Sequence, residues 1–196
     1  LEYLTLALEY LKTLARERIA RNALESQSTG DDPVERRVEF APKPQLSPSH
    51  LARQARVFGR KARALKRTFD ERTAATLALG APELPLEALA SRHNLCEFEK
   101  MALITAIGPD LDARFSDLLE GLGGMRRRTR EIRTVLDLLC DSLPRKIEAR
   151  KFFVCTGKLF GNGLLNVSYS RRTVTESDFM EMEMEVPRRI ASMVLG

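Results

Sequence analysis

Two long segments in the first 80 residues have hydrophobic side chains at helical spacing. Residues 1–24 contain no glycine or proline, and their apolar residues recur every three or four positions. One face is formed by Leu1, Leu4, Leu8, Leu11 and Ala15, and it is widened by Tyr3, Leu6, Tyr10 and Leu14. This spacing predicts a long amphipathic helix.

A second long helix is predicted between Pro48 and Leu79. Ser47 suits the N-cap and Pro48 the first helical position. The apolar positions form a heptad seam, which consists of Leu51, Ala55, Phe58, Ala62, Leu65 and Phe69. Because each apolar face needs a partner, we expect the two helices to form an antiparallel hairpin.

The segment between these two helices has the composition of a connector. Residues 25–49 contain Gly30 and several prolines, which prevent a long helix. We therefore predict a helical hairpin over residues 1–80 with a flexible connector at 25–49.

Shorter elements are predicted beyond a boundary at residues 80–85. Helices are expected at 85–94, 97–107, 112–121, 131–140, 143–154 and after Pro187, with strands at 164–169 and 179–186 joined by a loop. In the second strand four apolar residues alternate with Glu181, Glu183 and Glu185, which predicts one buried and one acidic face. Helices followed by a two-stranded ribbon indicate a winged-helix domain at 84–196, in a mainly α fold with a small β wing.

Composition excludes several classes of protein. The chain has 196 residues, and its apolar fraction of 43% is enough for one sizeable core. No apolar run reaches the roughly 18 residues that span a bilayer. The three scattered cysteines argue against a disulfide framework and against a zinc site. We expect a cytoplasmic protein with no membrane association and reduced thiols.

Charge is distributed unevenly, although the net charge is only +5. Residues 51–67 contain seven Arg or Lys and no acid, whereas residues 176–185 contain five acids and no base. We call the stripe on the second helix the arginine row; it consists of Arg53, Arg56, Arg60, Arg63 and Arg67. The seventh predicted helix, α7 at 143–154, precedes the wing. We call its cations the α7 basic set; they are Arg145, Lys146, Arg150 and Lys151. Arg171 and Arg172 lie in the wing loop.

These cations are candidate partner-binding residues, and three interpretations are open. They could contact a protein, neutralise nucleic-acid phosphates, or form a solvated face. The acidic strand beside the wing would repel phosphate, and no aromatic residues for base stacking are interleaved with the arginines. The sequence therefore favours a protein contact.

No catalytic or cofactor-binding motif is evident. Residues 156–159 resemble part of a phosphate-binding loop but lack its first glycine and its hydroxyl residue. Cys155 and His93 are interpreted as structural or incidental, and Asp110, Asp112 and Arg114 as residues of a helix start. We predict no catalytic, cofactor or metal site in this chain, which should neither bind nor hydrolyse ATP.

Several short segments resemble one family. They are 84–89, 94–99, 108–115, 126–129, 135–140 and 186–190. Together they are similar to the N-terminal winged-helix domain that precedes an AAA+ module in a family of bacterial ATPases. Some members of that family are encoded with contractile injection systems. The resemblance covers residues 84–196.

This resemblance implies a non-catalytic region that binds partners or regulates a motor. The ATP-hydrolysing module, with its ATP and magnesium, would lie beyond Gly196. Expected partners are a client protein or neighbouring subunits of a homo-oligomeric parent. A winged-helix protein that binds nucleic acid and an architectural assembly domain remain the alternatives.

Overall fold

The computed structural model describes residues 2–28, 46–79, 84–123, 130–168 and 176–195. The helices are α1 (Glu2–Ser28), α2 (Pro48–Ala78), α3 (Pro85–His93), α4 (Glu97–Leu111), α5 (Ala113–Gly123), α6 (Ile132–Leu139), α7 (Leu143–Ala149), α8 (Lys158–Gly161) and α9 (Arg188–Leu195). The strands are β1 (Asn166–Ser168) and β2 (Glu183–Glu185), and the 3-10 helices are η1 (Arg150–Phe153) and η2 (Glu176–Glu181). This element order confirms a mainly α fold with a small β wing.

Helices α1 and α2 form the predicted antiparallel hairpin. Near its open end the rings of Tyr3 and Phe69 lie 4.9 Å apart, and near its closed end Gln27 Nε2 donates to Leu46 O at 3.3 Å. The Ser47 side chain caps α2 by accepting from the His50 N–H at 3.3 Å. The seam residues are buried or half-buried, with Phe69 among the buried ones. Most of the predicted connector lies outside the described residues.

Helix α1 is buried on more than the one face that its sequence predicts. It contacts α4, α5 and α6 as well as α2, and Ala7, Leu11 and Ala15 are fully buried. Even Glu17 and Arg18 are buried. One continuous apolar core therefore includes α1 and the helices that follow α2. The division of the chain at residues 80–84 stays a prediction, but this packing argues that residues 84–196 depend on α1.

The junction of α4 and α5 differs from the prediction. Helix α4 continues through Pro109 to Leu111 instead of ending at residue 107. Asp112, which is in an extended conformation, separates the two helices. Its Oδ1 accepts from the Arg114 N–H at 2.9 Å, and its Oδ2 accepts from Lys12 Nζ at 2.8 Å. Asp112 therefore caps α5, as predicted, and also anchors this junction to α1.

The glycine before Pro109 is required by packing. A Cβ at Gly108 would lie 2.5 Å from two ring carbons of Phe115, whose side chain is fully buried. Asp110 pairs with Arg130, which precedes α6. The segment at 108–115 therefore has a structural role in joining α4, α5 and the start of α6.

The wing is smaller than predicted. Strands β1 and β2 are antiparallel, with Val167 opposite Met184, and Glu131 forms a bridge with Glu183. The predicted strand at 179–186 is shortened to three residues because its first part forms η2, where Met182 N donates to Phe179 O. The predicted helix at 143–154 is likewise divided into α7 and η1. The wing loop with Arg171 and Arg172 lies outside the described residues.

Candidate partner-binding surfaces

The arginine row is exposed along the whole of its length on α2. The spacing of three and four residues places all five side chains on one stripe of the helix. Within the described part of the chain none of the five forms an ion pair, although Arg56 Nε donates to Ala52 O at 3.3 Å. The exposure agrees with the sequence, whereas a role in binding stays a prediction.

An open groove lies beside this row, between the second half of α1 and the first half of α2. Its volume is about 810 Å³. We call it the arginine groove; it is lined by Glu17, Arg21, Leu24, Ala52, Arg53, Ala55, Arg56, Val57, Gly59, Arg60 and Arg63. Four of the five arginines of the row therefore line one concave surface, and Arg67 lies one turn beyond it. The groove was not predicted from the sequence.

A carboxylate at the groove is already balanced by cations of its own helix. The Glu17 side chain is 4% exposed; it pairs with Arg21 and lies 3.4 Å from the Arg18 guanidinium. Arg18 Nε also donates to Leu138 O at 3.2 Å, at the C-terminal end of α6. Glu17 is therefore neutralised by cations of α1. The arginines on α2 remain available for ion pairs with a partner.

The α7 basic set differs because each cation has a neighbour of its own. Arg145 lies 3.4 Å from Asp141, and Lys146 lies 2.7 Å from Asp137. Lys151 lies 3.3 Å from Glu148, and Arg150 lies over the ring of Phe179 at 5.5 Å. These contacts tie the helix to its immediate surroundings and reduce the positive field that it presents to phosphates.

Apolar side chains are exposed on α7, and carboxylates are exposed on the wing. Leu143 and Ile147, one turn apart on α7, are 69% and 60% exposed. On the wing, Glu181 and Glu185 are exposed, whereas Met184 is fully buried. An exposed leucine and isoleucine on α7 suit a protein surface better than a phosphate backbone, and the exposed carboxylates of the wing would repel phosphate. The sequence analysis did not identify this exposed pair.

A network of ionisable side chains connects the hairpin to α3 and α4. Its members are Tyr3, Lys66, Asp70, Glu87, Glu97 and Lys100. Tyr3 donates to Glu87 at 2.6 Å, and Lys100 lies 3.1 Å from Glu87 and 3.0 Å from Glu97. Burial, followed by the bond to Glu87, raises the pKa of Tyr3. Burial opposes ionisation of Glu97, but hydrogen bonds from Lys100 and Lys66 outweigh it and lower the pKa of its carboxyl.

The lysine in residues 156–159, which resemble part of a phosphate-binding loop, has a structural role. Lys158 Nζ donates to Asn94 O at 2.5 Å and lies 3.8 Å from the buried Glu99 carboxylate. Glu99 in turn accepts from the Cys96 N–H at 2.8 Å in the capping box of α4. Lys158 therefore anchors the start of α8 to the turn before α4.

The described residues lack two further features. No group of three or more His, Cys, Asp or Glu in that part of the chain could hold a metal ion. None of its helices is long and apolar enough to cross a membrane. Burial raises the pKa of the Cys96 and Cys140 thiols, so that both are protonated at neutral pH.

The helices, the short antiparallel wing and the bridge from Glu131 to β2 define the winged-helix class. Comparison with known proteins agrees with this class. The family described as "Winged helix domain, variant" matches residues 1–196, and the chain belongs to that family. Neither a curated protein nor a solved structure gave a significant match. Winged-helix domains bind either nucleic acids or proteins.

Proposed function

We propose that this chain is the non-catalytic partner-binding or regulatory region of a bacterial AAA+ ATPase. The observation that carries the proposal is a contrast between two sets of cations. In the α7 basic set three of the four cations form local ion pairs, whereas four arginines of the arginine row line an open groove. A surface that reads nucleic acid through the helix before the wing needs cations that are free for phosphate. The arginine row, which has no ion pair within the described residues, presents such cations on the hairpin, where a protein partner can reach them.

The link to an AAA+ motor rests on the resemblance of residues 84–196 to the domain that precedes such a motor. In this proposal the parent protein is a cytoplasmic homo-oligomer, and its partner is a client or a neighbouring subunit. ATP and magnesium bind only to the module that follows residue 196. This chain contributes recognition, and the motor contributes hydrolysis.

The reading frame that encodes this chain provides the direct test. We expect it to continue past Gly196 into a module with a phosphate-binding loop, while calorimetry with Mg-ATP on residues 1–196 detects no binding. The proposal is overturned by a frame without that loop, or by micromolar ATP binding to this chain.

A further inference from the structure

The arginine groove combines a cationic rim with an apolar surface, and this combination restricts what can occupy it. Arg53, Arg56, Arg60 and Arg63 are exposed and lie on the α2 side. The uncharged lining consists of Leu24, Ala52, Ala55, Val57 and Gly59. Small residues on α2 keep the surface between the two helices open. Val57 is 45% exposed and adds to the apolar surface of the groove.

The dimensions of the groove suit a helix. Its lining on α2 runs from residue 52 to residue 63, which corresponds to about 17 Å at 1.5 Å per residue. A trough of this length between two antiparallel helices accepts a third helix of about three turns. The apolar stripe of that helix would cover the uncharged lining, as in other complexes in which a helix occupies a groove.

The charge of the groove requires acidic residues beside that stripe. Because Glu17 pairs with Arg18 and Arg21, it does not neutralise the four arginines on α2. Glutamate or aspartate at the edge of an incoming helix could form charge-assisted, bidentate hydrogen bonds with them. An occupant without acidic residues would leave four like charges crowded along its edge.

A nucleic acid fits the same groove less well. No aromatic residue lines the groove, so stacking on bases is not available there. The apolar part of the lining would face a polar backbone without compensation.

We infer that the arginine groove binds an acidic amphipathic helix of a protein partner. This inference rests on the proposed partner-binding function and specifies the chemistry of the partner.

A synthetic peptide tests the inference without knowledge of the natural partner. The probe is a fluorescent 14-residue helix with leucine on one stripe and glutamate at the flanking positions, titrated with the wild-type chain in about 150 mM salt. Matched peptides carry glutamine or lysine in place of glutamate. We expect the glutamate peptide to bind at least about tenfold more tightly than either matched peptide. Equal binding of the three, or no binding of the glutamate peptide, overturns the inference.

Substitutions then locate the binding surface. Arg56→Ala combined with Arg60→Ala is expected to weaken binding of the glutamate peptide about tenfold. The control, Arg145→Ala with Lys151→Ala, removes the same number of exposed cations from the α7 basic set and is expected to change binding less than about twofold. Circular dichroism verifies that both variants fold. A larger effect in the control places the peptide elsewhere and overturns the inference.

Charge reversal provides a gain of binding that loss of folding cannot imitate. The variant Arg56→Glu with Arg60→Glu is expected to prefer the lysine peptide over the glutamate peptide. A duplex DNA of random sequence serves as the competitor, and displacement of the glutamate peptide by stoichiometric duplex would favour nucleic acid instead. Failure of peptide binding leaves the proposed function standing if the reading frame encodes the ATPase module.

Discussion

The arginine row and the α7 basic set contain similar numbers of cations but differ in what surrounds each cation. In the α7 basic set, Lys146 has an aspartate at 2.7 Å, whereas Arg60 in the row has no ion pair within the described residues. Sequence composition does not distinguish the two, because both read as clusters of Arg and Lys. The comparison teaches that a basic cluster indicates a binding surface only when its charges are not already balanced by the fold.

Arg18 is the most deeply buried cation among the described residues of the hairpin, and we expect its loss to be the most costly. It is 9% exposed, donates to Leu138 O and lies beside Glu17. Arg18→Met keeps much of the volume but leaves a buried carbonyl without its donor. We expect a decrease in the free energy of unfolding of about 1–3 kcal/mol, measured by urea denaturation. A neutral result would mean that this contact contributes little and would weaken the comparison.

Gly108 on α4 and Gly59 on the hairpin sharpen the contrast between closed and open surfaces. Gly108→Ala would clash with the buried Phe115 ring, and we expect a loss of about 1–3 kcal/mol. Gly59→Ala meets only ordinary contacts, the nearest being Glu17 Cγ at 3.6 Å. Because alanine favours a helix, we expect a gain of about 0.5–1 kcal/mol. Thermal and urea unfolding should show that the free energy of unfolding decreases in Gly108→Ala and increases in Gly59→Ala. Changes of the same sign in both variants would contradict the contrast between the closed and the open surface.

The ionic network between the hairpin and α4 predicts sensitivity to acid. The pKa of Glu97 is lowered from 4.5, and the hydrogen bond from Lys12 lowers the pKa of Asp112 from 3.8. For a depressed carboxyl pKa, the added stability is present above the unfolded-state pKa and is lost as the pH falls through the folded-state pKa. We therefore expect the free energy of unfolding to decrease below about pH 4.5, and to decrease less in Glu97→Gln. If the free energy of unfolding changed identically with pH in the wild type and in Glu97→Gln, Glu97 would not contribute to the acid sensitivity.

The smallest effects distinguish paired from free cations directly. Lys146→Ala breaks a partly buried ion pair and should lower the free energy of unfolding by about 0.2–1 kcal/mol. Arg60→Ala removes an exposed side chain without an ion pair in the described region and should remain within about 0.5 kcal/mol of the wild type. Parallel chemical denaturation of the two variants measures the difference. A larger decrease in the free energy of unfolding for Arg60→Ala would show that the arginine row stabilises the fold.

Local patterns predicted much of the fold. The heptad spacing from Leu51 to Phe69 and the Ser47 cap specified α2, because both depend on neighbours in the sequence. The burial of α1 on two sides was not predictable. Charged residues such as Glu17 and Arg18 are usually exposed, and they are buried here because distant parts of the chain pack against α1. The shortening of the second strand was not predicted, because the alternating pattern of apolar and acidic residues does not reveal that residues 176–181 form a 3-10 helix.

The candidate site was predicted less completely. Regular spacing identified the arginine row as one exposed stripe. The groove beside it depends on how α1 lies against α2, and the neutralisation of Lys146 by Asp137 depends on a contact between α6 and α7. Neither follows from composition or periodicity, because each joins residues on separate elements.

A salt-dependent DNA titration tests most directly the claim that this winged helix recognises protein through its hairpin. Duplex DNA binding would be measured for the wild type, for a variant with Arg145, Lys146, Arg150 and Lys151 changed to Ala, and for one with Arg53, Arg56, Arg60 and Arg63 changed to Ala. We predict weak binding without sequence preference that disappears by about 200 mM salt and is reduced only modestly in the first variant. A sequence-selective complex that persists at about 150 mM salt and is abolished in the first variant would contradict the account.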